Sequence, residues 1–363
     1  MFYPWLSALW QTLDRQVKLD RLHHAQLLHS QANMGVEDFA VQYAKRLLCH
    51  APVVSEDNHL VACERCKSCH LFTAGSHPDF QHVHLLEKKQ MISISQIRAI
   101  ETGLATSAIS HRGKVVILQE ADTMNNAAMN ALLKVLEEPP NRCQFFIVTR
   151  SLHQLLPTIR SRCQQQRIAP PERGAAIEWL EQKKVKQAGD KLSQAQGYPL
   201  KVLDWEQEKV WSSRREIGHE LNALFDGART AKAKPCWQRM SLDETYALSQ
   251  YWLHGMVKSL TTDIKSVESE LPAWRSVRDQ LVDAALASSS HGARLSAWRS
   301  TQLVFRFYDK LVRRRSQVQE NPNLNQQVLA DELLLDWQAL AHTLKATAST
   351  EGSNGRARRL NVR

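Results

Sequence analysis

Four short apolar segments alternate with helical patterns in the first half of the chain, and this alternation restricts the fold more than any other feature. The apolar segments, which suit buried strands, are Ala25–His29, Phe80–Leu86, Val115–Leu118 and Phe145–Thr149. Apolar residues spaced by three and four predict helices between them, at Val36–Leu48, Ile94–Ala105 and Asn126–Glu138. Strands that alternate with helices form βαβ units, so the sequence predicts a parallel sheet covered on both faces by helices.

Two proline pairs divide the chain. Pro139 and Pro140 stop the last of these helices, because proline cannot continue the helical hydrogen-bond ladder. After Pro170 and Pro171 nearly every segment has helical periodicity, with tryptophans and leucines on one face. Because domains usually span roughly 100 to 200 residues, a chain of 363 residues should contain several. We expect an α/β core at 1–168, a small helical domain at 169–207, a larger helical domain at 208–344 and a disordered basic tail at 345–363.

Composition indicates a folded, basic protein. Hydrophobic residues make up 43% and charged residues 23%, which excludes a chain that is disordered throughout. The formal net charge of +10 favours acidic partners, but the arginine-rich tail supplies part of it, so charge alone does not indicate a nucleic-acid site. The first residues lack a basic signal region and place Trp5, Leu9 and Leu13 at helical spacing. We therefore expect an amphipathic N-terminal helix, no membrane association and a cytoplasmic location.

Four of the seven cysteines fall within a short stretch, which predicts a metal site. Cys63, Cys66 and Cys69 form a C-x2-C-x2-C pattern, and Cys49 lies 14 residues upstream. Two-residue spacings let a tight turn direct successive thiolates at one point, and four such ligands suit a structural, tetrahedral Zn²⁺ ion.

The same region offers other ligand sets, and one other metal centre uses a similar cysteine pattern. Three histidines could replace Cys49 as the fourth ligand: His59, His70 and His77. An iron–sulfur cluster is the nearest rival, but its usual cysteine run continues to a further cysteine followed by proline. Here Thr73 and Ala74 occupy those positions, so zinc is favoured.

A loop in the position of a nucleotide-binding P-loop lacks the residues that the chemistry needs. Ser30–Asp38 lies between a predicted strand and a predicted helix, where the pattern G-x4-G-K-[ST] would belong. Only Gly35 fits: Ser30 replaces the first glycine, Val36 the lysine and Glu37 the hydroxyl residue that binds magnesium. Without the lysine the phosphates lose their cation, and Glu37 adds negative charge where a helix N-terminus would attract anions. We therefore expect that ATP does not bind productively here.

The second nucleotide motif is degenerate as well. The strand Val115–Leu118 is followed by Gln119 and Glu120, where an acid would hold Mg²⁺. Gln119 is neutral and a poor magnesium ligand. Glu120 could orient a water molecule, but without a nucleotide it has nothing to hydrolyse. Locally, an ordinary α/β turn that never bound nucleotides explains the same residues.

Arg162, within the segment Thr158–Cys163 (TIRSRC), is a candidate for action on a neighbouring chain. An arginine at a domain edge can neutralise charge that develops on the γ phosphate of an adjacent subunit. As a short motif this is weak, because most surface arginines are solvated or form marginal ion pairs.

Several further short segments occur in a fixed order along the chain: YPWL (Tyr3–Leu6), HHA (His23–Ala25), NMGVED (Asn33–Asp38), the cysteine cluster, HPD (His77–Asp79), NALLKVLEEPP (Asn130–Pro140), TR (Thr149–Arg150), RSRC (Arg160–Cys163) and NPNLNQQVLADELLLDW (Asn321–Trp337). Taken in this order, they resemble the delta-prime family of bacterial DNA polymerase III clamp-loader subunits, within the AAA+ group. The pair NALLKxLEEPP and SRC is highly specific to clamp-loader subunits. The last segment is a moderate match to their helical collar domains.

The resemblance implies an AAA+ core with a zinc module at 49–69, a helical lid and a helical collar that joins a five-membered ring. Such a subunit is a rigid stator: it does not hydrolyse ATP, and Arg162 would point into the ATP site of an adjacent gamma or tau subunit. The partners implied are the gamma or tau and delta subunits, with the sliding clamp and primed DNA contacted through the assembled complex. The zinc ligands implied are Cys49, Cys63, Cys66 and Cys69.

The departures from ATPase members agree with one another. Those members have an arginine early in a lid helix, whereas this chain has Leu200 there, beside Lys201. Together with Val36 and Gln119, three losses in one site favour an abandoned function, so we expect no intrinsic enzymatic activity. Two alternatives remain: an active ATPase of the gamma or tau type, which Val36 and Glu37 oppose, and a zinc-dependent nucleic-acid-binding protein.

Overall fold

The structure, a computed structural model, describes residues 3–30, 33–86, 89, 91–109, 112–207, 210–228, 235–262, 267, 270–287, 291–320 and 325–360. The chain forms two compact units, Met1–Leu203 and Asp204–Arg363. No helix in the described part of the chain is both long and apolar enough to cross a membrane.

The first unit is built on a five-stranded sheet in which all paired strands are parallel, in the order β4-β5-β6-β1-β7. Its strands are β1 Ala25–His29, β4 Phe80–Val83, β5 Lys114–Leu118, β6 Cys143–Thr149 and β7 Gln164–Arg167. Two further strands, β2 Val53–Val54 and β3 Leu60–Val61, pair as a small antiparallel hairpin. Every residue of β5 and β6 is buried, as expected for central strands covered on both faces.

Helices lie between the strands of this unit and continue beyond them. They are α1 Ser7–Lys18, α2 Val36–Leu48, α3 Lys67–Thr73, α4 Ile94–Ala105, α5 Asn126–Glu137, α6 Pro157–Ser161, α7 Arg173–Gln182, α8 Ala188–Gln194 and α9 Pro199–Gln207, the last of which spans the division between the two units. A short 3₁₀ turn at Pro4–Leu6 precedes α1. The side chain of Asn125 caps α5 by accepting a hydrogen bond from the Ala128 N–H at 2.8 Å.

One large apolar core joins one face of the sheet to α4, α5 and α6. Its sheet and helix residues include Leu27, Val116, Phe145, Ile147, Ile97, Ile100, Leu132, Leu136 and Ile159. A buried lysine caps the C-terminus of α4. The Lys114 ammonium donates to the Gly103 carbonyl at 2.6 Å and to the Thr106 carbonyl at 2.5 Å. A cation at this position satisfies carbonyls that the helix cannot pair itself.

The predicted fold class is confirmed, and the differences are local. The strand predicted at Phe80–Leu86 ends at Val83, and the helix predicted to end at Glu138 ends at Glu137. Strand β7 was not predicted, because its sequence QQQR has no apolar residue. It forms by pairing with β1, where the Gln26 amide donates to the Gln164 side-chain oxygen at 2.8 Å.

The second unit is helical, as predicted, and several of its aromatic residues are fully buried. Its helices are α10 Val210–Asp226, α11 Leu242–Thr261, α12 Pro272–Ala287, α13 His291–Glu320 and α14 Gln326–Leu360. Trp337 lies at the centre, edge-on to Phe225, Trp252 and Phe307, and its indole N–H donates to Ser249 Oγ at 3.2 Å. A buried Trp that finds a hydroxyl partner avoids the cost of an unpaired donor.

The domain boundaries predicted at 168 and 207 stay predictions. The chain divides into its two units between Leu203 and Asp204, inside the region 169–207 that was predicted as a separate lid. The tail predicted as disordered, 345–363, is helical as far as Leu360, because α14 continues through it. Residues 361–363 of that tail, and 321–324 of the NPNLNQQVLADELLLDW segment, lie outside the described residues.

Candidate functional site

Helix α2 connects the two regions that the sequence singled out. Its N-terminus follows the degenerate phosphate loop, with Gly35 as the residue before the first turn, and its C-terminus ends at Cys49. Buried Phe39, Ala40 and Tyr43 hold the helix against the rest of the unit. The two candidate sites are therefore fixed by one rigid element.

The four predicted cysteines converge on one point. Cys49 follows α2, Cys63 follows β3, Cys66 caps the N-terminus of α3 and Cys69 lies in its first turn. All four sulfur atoms lie within 4.8 Å of one another, with 3.9 Å between Cys49 and Cys66 and 4.0 Å between Cys63 and Cys69. A tetrahedral Zn²⁺ with Zn–S bonds of about 2.3 Å separates its sulfurs by about 3.8 Å. The arrangement fits a four-thiolate metal site and is too open for disulfide bonds.

Backbone N–H groups donate hydrogen bonds to two of the four cysteine sulfur atoms. The Cys63 N–H lies 3.3 Å from Cys49 Sγ, and the Cys69 N–H lies 3.4 Å from Cys66 Sγ. Burial opposes ionisation of the Cys66 thiol, but hydrogen bonds from the backbone N–H groups of Cys69 and His50 and from neighbouring thiols lower its pKa to about 6.

The pKa values of the other three thiols are shifted in opposite directions. The backbone N–H of Arg65 lowers the pKa of the Cys63 thiol, whereas burial raises the pKa of Cys49 and Cys69. A divalent cation would supply the positive charge that favours the thiolate form of all four cysteines.

The three alternative ligands are not part of the group. His59 is buried, and its Nε2 lies 2.8 Å from Ser7 Oγ. His77 is buried too, with Nε2 3.0 Å from Ser68 Oγ and with Nδ1 accepting the Asp79 N–H at 3.1 Å. His70 is exposed on α3. Among the described residues, the one group of three or more His, Cys, Asp or Glu suited to a metal ion consists of the four cysteines.

At the other end of α2, the loop that replaces the P-loop is packed against the chain's own aromatic residues. Gly35 has φ +72°, and a Cβ atom added there would lie 2.0 Å from the Tyr3 ring. The Tyr3 hydroxyl donates to Asp38 at 2.7 Å, and the Trp5 indole donates to the Met34 carbonyl at 2.9 Å. The loop residues Gln31 and Ala32 lie outside the described residues.

A third aromatic residue completes this cluster. The Tyr3 and Trp5 rings stack with centroids 5.3 Å apart, and Trp179 from α7 meets Trp5 edge-on at 5.0 Å and Tyr3 at 6.1 Å. We call Tyr3, Trp5 and Trp179 the aromatic plug. Residue-level reasoning missed it, because the spacing of Trp5, Leu9 and Leu13 assigned Trp5 to the N-terminal helix, whereas Trp5 lies in the 3₁₀ turn before α1. No pattern in the sequence connects Tyr3 and Trp5 to Trp179.

The residues that replace lysine and hydroxyl in the loop have other roles. Val36 is buried in the first turn of α2. The Glu37 carboxylate lies 3.6 Å from the Arg150 guanidinium, which follows β6. Ser30, at the position of the first glycine, is buried and donates its N–H to the Thr149 carbonyl at 3.2 Å. The Glu37 carboxylate and the Arg150 guanidinium thus lie where a P-loop would present N–H donors to phosphate.

The second degenerate motif lies at the end of β5. The Gln119 side-chain oxygen is 3.0 Å from His82 Nε2 on β4, so its amide is engaged with a neighbouring strand. Glu120 adopts a left-handed backbone conformation, φ 52°, and its carbonyl accepts from Thr123. The structure also reveals Asp122, which was not predicted: its carboxylate accepts from Thr149 Oγ1 at 2.9 Å and from the Arg150 N–H at 3.0 Å.

Arg162 lies at the end of α6 on a partly exposed edge. Its guanidinium is 2.6 Å from Glu137 of α5 and donates to the Thr158 carbonyl at 3.3 Å, while 37% of the side chain is exposed. In the lid region, Leu200 is buried in α9 and Lys201 is half-buried beside it. A buried leucine at this position can contribute packing but no positive charge.

Comparisons with known proteins agree with one another. The family model described as DNA polymerase III, delta subunit, matches residues 5–172. DNA polymerase III subunit delta' of Pseudomonas aeruginosa is 30% identical over 344 residues, covering 93% of this chain and 98% of that protein. The subunit of the same name from Escherichia coli is 33% identical over 224 residues, covering 61% and 65%.

A solved structure described as a DNA polymerase III gamma subunit-related protein from Thermotoga maritima is 16% identical, covering 93% of this chain and 99% of that one, with a TM-score of 0.37. The family assignment depends on the sequence matches and not on this structural likeness. The Pseudomonas match spans nearly the whole of both chains. The chain therefore belongs to the delta-prime family of DNA polymerase III subunits.

Proposed function

We propose that this chain is the non-ATPase stator of a clamp-loader complex and assists ATP hydrolysis on an adjacent subunit. The observation that carries the first part is the aromatic plug. Tyr3 and Trp5 lie against Gly35 and Met34, the loop that would have to surround the phosphates of ATP. Glu37 adds a carboxylate at the same helix N-terminus, where negative charge disfavours a second anion.

The test is nucleotide binding by the isolated full-length chain. We expect no saturable binding of ATP in the micromolar range by calorimetry, with or without Mg²⁺. An ATPase gamma or tau subunit measured in the same buffer provides the positive control. Turnover of ATP by the isolated chain would contradict the stator assignment and favour an active ATPase.

The aromatic plug also supports the proposed role as a rigid stator, because it connects two parts of the first unit. Trp179 belongs to α7, in the region where an AAA+ lid is expected, whereas Tyr3 precedes α1 and packs on the loop before α2. A nucleotide that binds between core and lid would contact both. In this chain the Tyr3, Trp5 and Trp179 side chains make that connection, so we expect α7 to keep its position without a nucleotide.

The second part of the proposal assigns Arg162 as an arginine finger that acts in trans. Its position supports this role: the backbone is fixed by α6, yet the guanidinium is partly exposed. In an assembled complex, Arg162→Ala should retain assembly and slow hydrolysis at the adjacent site, on the order of 10³-fold when one site is isolated. Unchanged turnover in a fully assembled complex would remove Arg162 from the mechanism.

The cysteine cluster is proposed to hold one structural Zn²⁺. Four thiolate ligands leave no coordination position for water, which is typical of structural zinc sites. The ion would connect the end of α2, the β2–β3 hairpin and α3, a segment with a very small apolar core of its own: Cys49, Ala62 and Cys69. Elemental analysis of the purified chain should give one zinc per molecule.

The partners proposed are the gamma or tau and delta subunits in a five-membered ring, with the sliding clamp and primed DNA contacted through the complex in the cytoplasm. Helix α13 supports assembly through the second unit. Trp298, Phe305 and Val312 recur every seven residues along it and are 56%, 50% and 44% exposed. Since seven residues are about two helical turns, the three form one apolar stripe suited to another helix.

The stripe can be tested by size-exclusion chromatography of reconstituted mixtures. Phe305→Asp should weaken assembly with the partner subunits. Lys258→Asp, on the exposed surface of α11, changes charge without altering the stripe and serves as the control. Normal assembly of the Phe305 variant would exclude this stripe as a subunit interface.

A further inference from the structure

We propose that Glu137 is a positioning residue for Arg162, which orients the guanidinium for its action on the neighbouring subunit. This inference depends on the proposed role of Arg162 as an arginine finger. Glu137 is the last residue of α5, and its Oε1 atom lies 2.6 Å from a terminal nitrogen of Arg162. It would therefore act through Arg162 without contacting the nucleotide.

The backbone at Arg162 is already fixed, so side-chain orientation is the remaining variable. The Arg162 N–H donates to the Ile159 carbonyl at 3.1 Å, and Ile159 is fully buried in the core beneath α6. The next residue, Cys163, is buried as well. The Cα atom therefore has a defined place, whereas a long arginine side chain retains many rotamers unless something holds its end.

Two contacts hold the guanidinium at one edge. Glu137 binds one terminal nitrogen, and the carbonyl of Thr158 accepts from the other at 3.3 Å. A guanidinium has five N–H donors in a rigid plane, so two contacts define its orientation and leave further donors to reach a phosphate. With 37% of the Arg162 side chain exposed, this edge of the first unit presents an oriented cation.

A role in stability explains the pair poorly. Glu137 is 42% exposed, and an ion pair in contact with water contributes little to folding. Orientation of a reacting group has a much larger effect, because small displacements of a positioned group reduce rate steeply. Removal of Glu137 should therefore affect turnover and not folding.

The sequence provides a matched control in the adjacent residue. Glu138 is also an exposed glutamate at the end of α5, and replacing it removes the same charge one residue away. Glu137→Gln is a second informative variant, because its amide oxygen can still accept a hydrogen bond from Arg162. A positioning role predicts partial activity for Gln and normal activity for Glu138→Ala.

The experiment is steady-state ATP hydrolysis by the reconstituted complex that contains the full-length chain. We expect Glu137→Ala to lower kcat about threefold to tenfold with unchanged KM, with Glu137→Gln between it and the unsubstituted chain. The double variant Glu137→Ala/Arg162→Ala should match Arg162→Ala alone, because the effect passes through Arg162. Assembly and thermal unfolding are measured for each variant and should not change.

The outcomes separate the two proposals. Slow turnover by Arg162→Ala with normal or faster turnover by Glu137→Ala would overturn the positioning role alone. An effect of Glu137→Ala that persists without Arg162, or that equals the effect of Glu138→Ala, would overturn it as well. Normal turnover by Arg162→Ala in an assembled complex would overturn both the arginine finger and the role of Glu137.

Discussion

The two ends of helix α2 have opposite relations to their surroundings. At the N-terminus, Tyr3 and Trp5 pack on the loop before the helix, and Glu37 contributes a carboxylate. At the C-terminus, Cys49 joins three other sulfur atoms around a shared point. One end is filled by the chain's own side chains, and the other has the ligand set for an ion.

The electrostatics of a helix would favour ligands of opposite charge at its two ends. The N-terminus attracts anions and the C-terminus attracts cations, because the peptide dipoles align along the axis. In this chain the C-terminus of α2 lies beside four cysteines that could hold a metal ion, whereas aromatic side chains pack on the loop at its N-terminus. Under the proposed function, α2 would have a structural role at both ends, with the plug contacting α7 and the cysteines joining the β2–β3 hairpin to α3.

Loss of one cysteine should produce the largest change at the metal end. Cys66→Ser removes a thiol whose pKa is lowered to about 6 and the cap of α3, so we expect loss of bound zinc and local unfolding of residues 49–75. Elemental analysis measures the metal, and hydrogen exchange measures protection of the module.

Cys236→Ser is the control for that variant, since Cys236 is a buried cysteine in the second unit. It should retain one zinc per chain. Full zinc content in the Cys66 variant would contradict the four-cysteine site, and equal protection with and without metal would contradict its structural role.

The second prediction concerns the buried ion pair that joins α1 to the last turn of α2. The Arg46 guanidinium lies 2.7 Å from Asp14, and the Tyr43 hydroxyl donates to the same oxygen at 3.1 Å. Asp14→Ala leaves a buried arginine without its carboxylate, which should lower the free energy of unfolding by about 3–5 kcal/mol. Chemical denaturation followed by circular dichroism measures the loss.

Replacing both partners tests the cause. Asp14→Leu with Arg46→Met fills the volume with apolar atoms and should recover most of the stability, because removing an ion pair entirely costs far less than leaving one charge buried. A double variant as unstable as Asp14→Ala would show that packing and not the uncompensated charge is responsible.

At the plug end, glycine variants separate backbone strain from the aromatic contact. Gly35 and Gly75 both have positive φ, +72° and +68°, but only at Gly35 would a Cβ meet another group, the Tyr3 ring at 2.0 Å. Gly75→Ala should lower the free energy of unfolding by about 1 kcal/mol, the cost of a left-handed residue, and Gly35→Ala by about 2–3 kcal/mol. Thermal or chemical denaturation measures both.

The same two glycine variants, made in a chain that lacks the Tyr3 ring, measure the contribution of the aromatic plug to the free energy of unfolding. When Tyr3 is replaced by Ala, the additional cost of Gly35→Ala should disappear and the two glycine variants should become equal. A Gly35 variant that costs no more than the Gly75 variant in the unsubstituted chain would mean that Tyr3 does not pack on the loop.

Local patterns carried the predictions that succeeded. Strands β1, β5 and β6 were predicted because they are buried and apolar, and the cysteine cluster because three of its members lie within seven residues. Each of these signals is contained in a short window. The physical cause, burial or metal geometry, acts on neighbouring residues.

Features that depend on distant residues were not predictable in this way. The aromatic plug joins Trp5 to Trp179, and strand β7 forms only because Gln164 has Gln26 as a partner across the chain. The contact between Glu137 and Arg162 likewise requires α5 and α6 to meet. Such pairs have no local periodicity, so a single sequence shows the residues without showing that they are neighbours.

The smallest expected effect is a pH dependence at the metal end of α2. His77 lies beside Ser68, whose hydroxyl donates to the carbonyl of Leu48, the last residue of α2. Burial lowers the pKa of His77 below its usual 6.5, with a nearby Asp79 acting in the opposite direction. Protonation would also place an N–H at Nδ1, which now accepts the Asp79 N–H.

The sign of the effect follows from proton linkage. Because the folded pKa is the lower one, the unfolded chain takes up the proton first as pH falls below about 6.5. Stability contributed by neutral His77 is therefore complete above that pH and is lost as pH falls through the folded pKa. His77→Gln should flatten this part of the stability profile, which chemical denaturation at a series of pH values measures. An NMR titration that gives His77 a pKa at or above 6.5 would contradict the prediction, because burial would then not be the dominant influence on this imidazole.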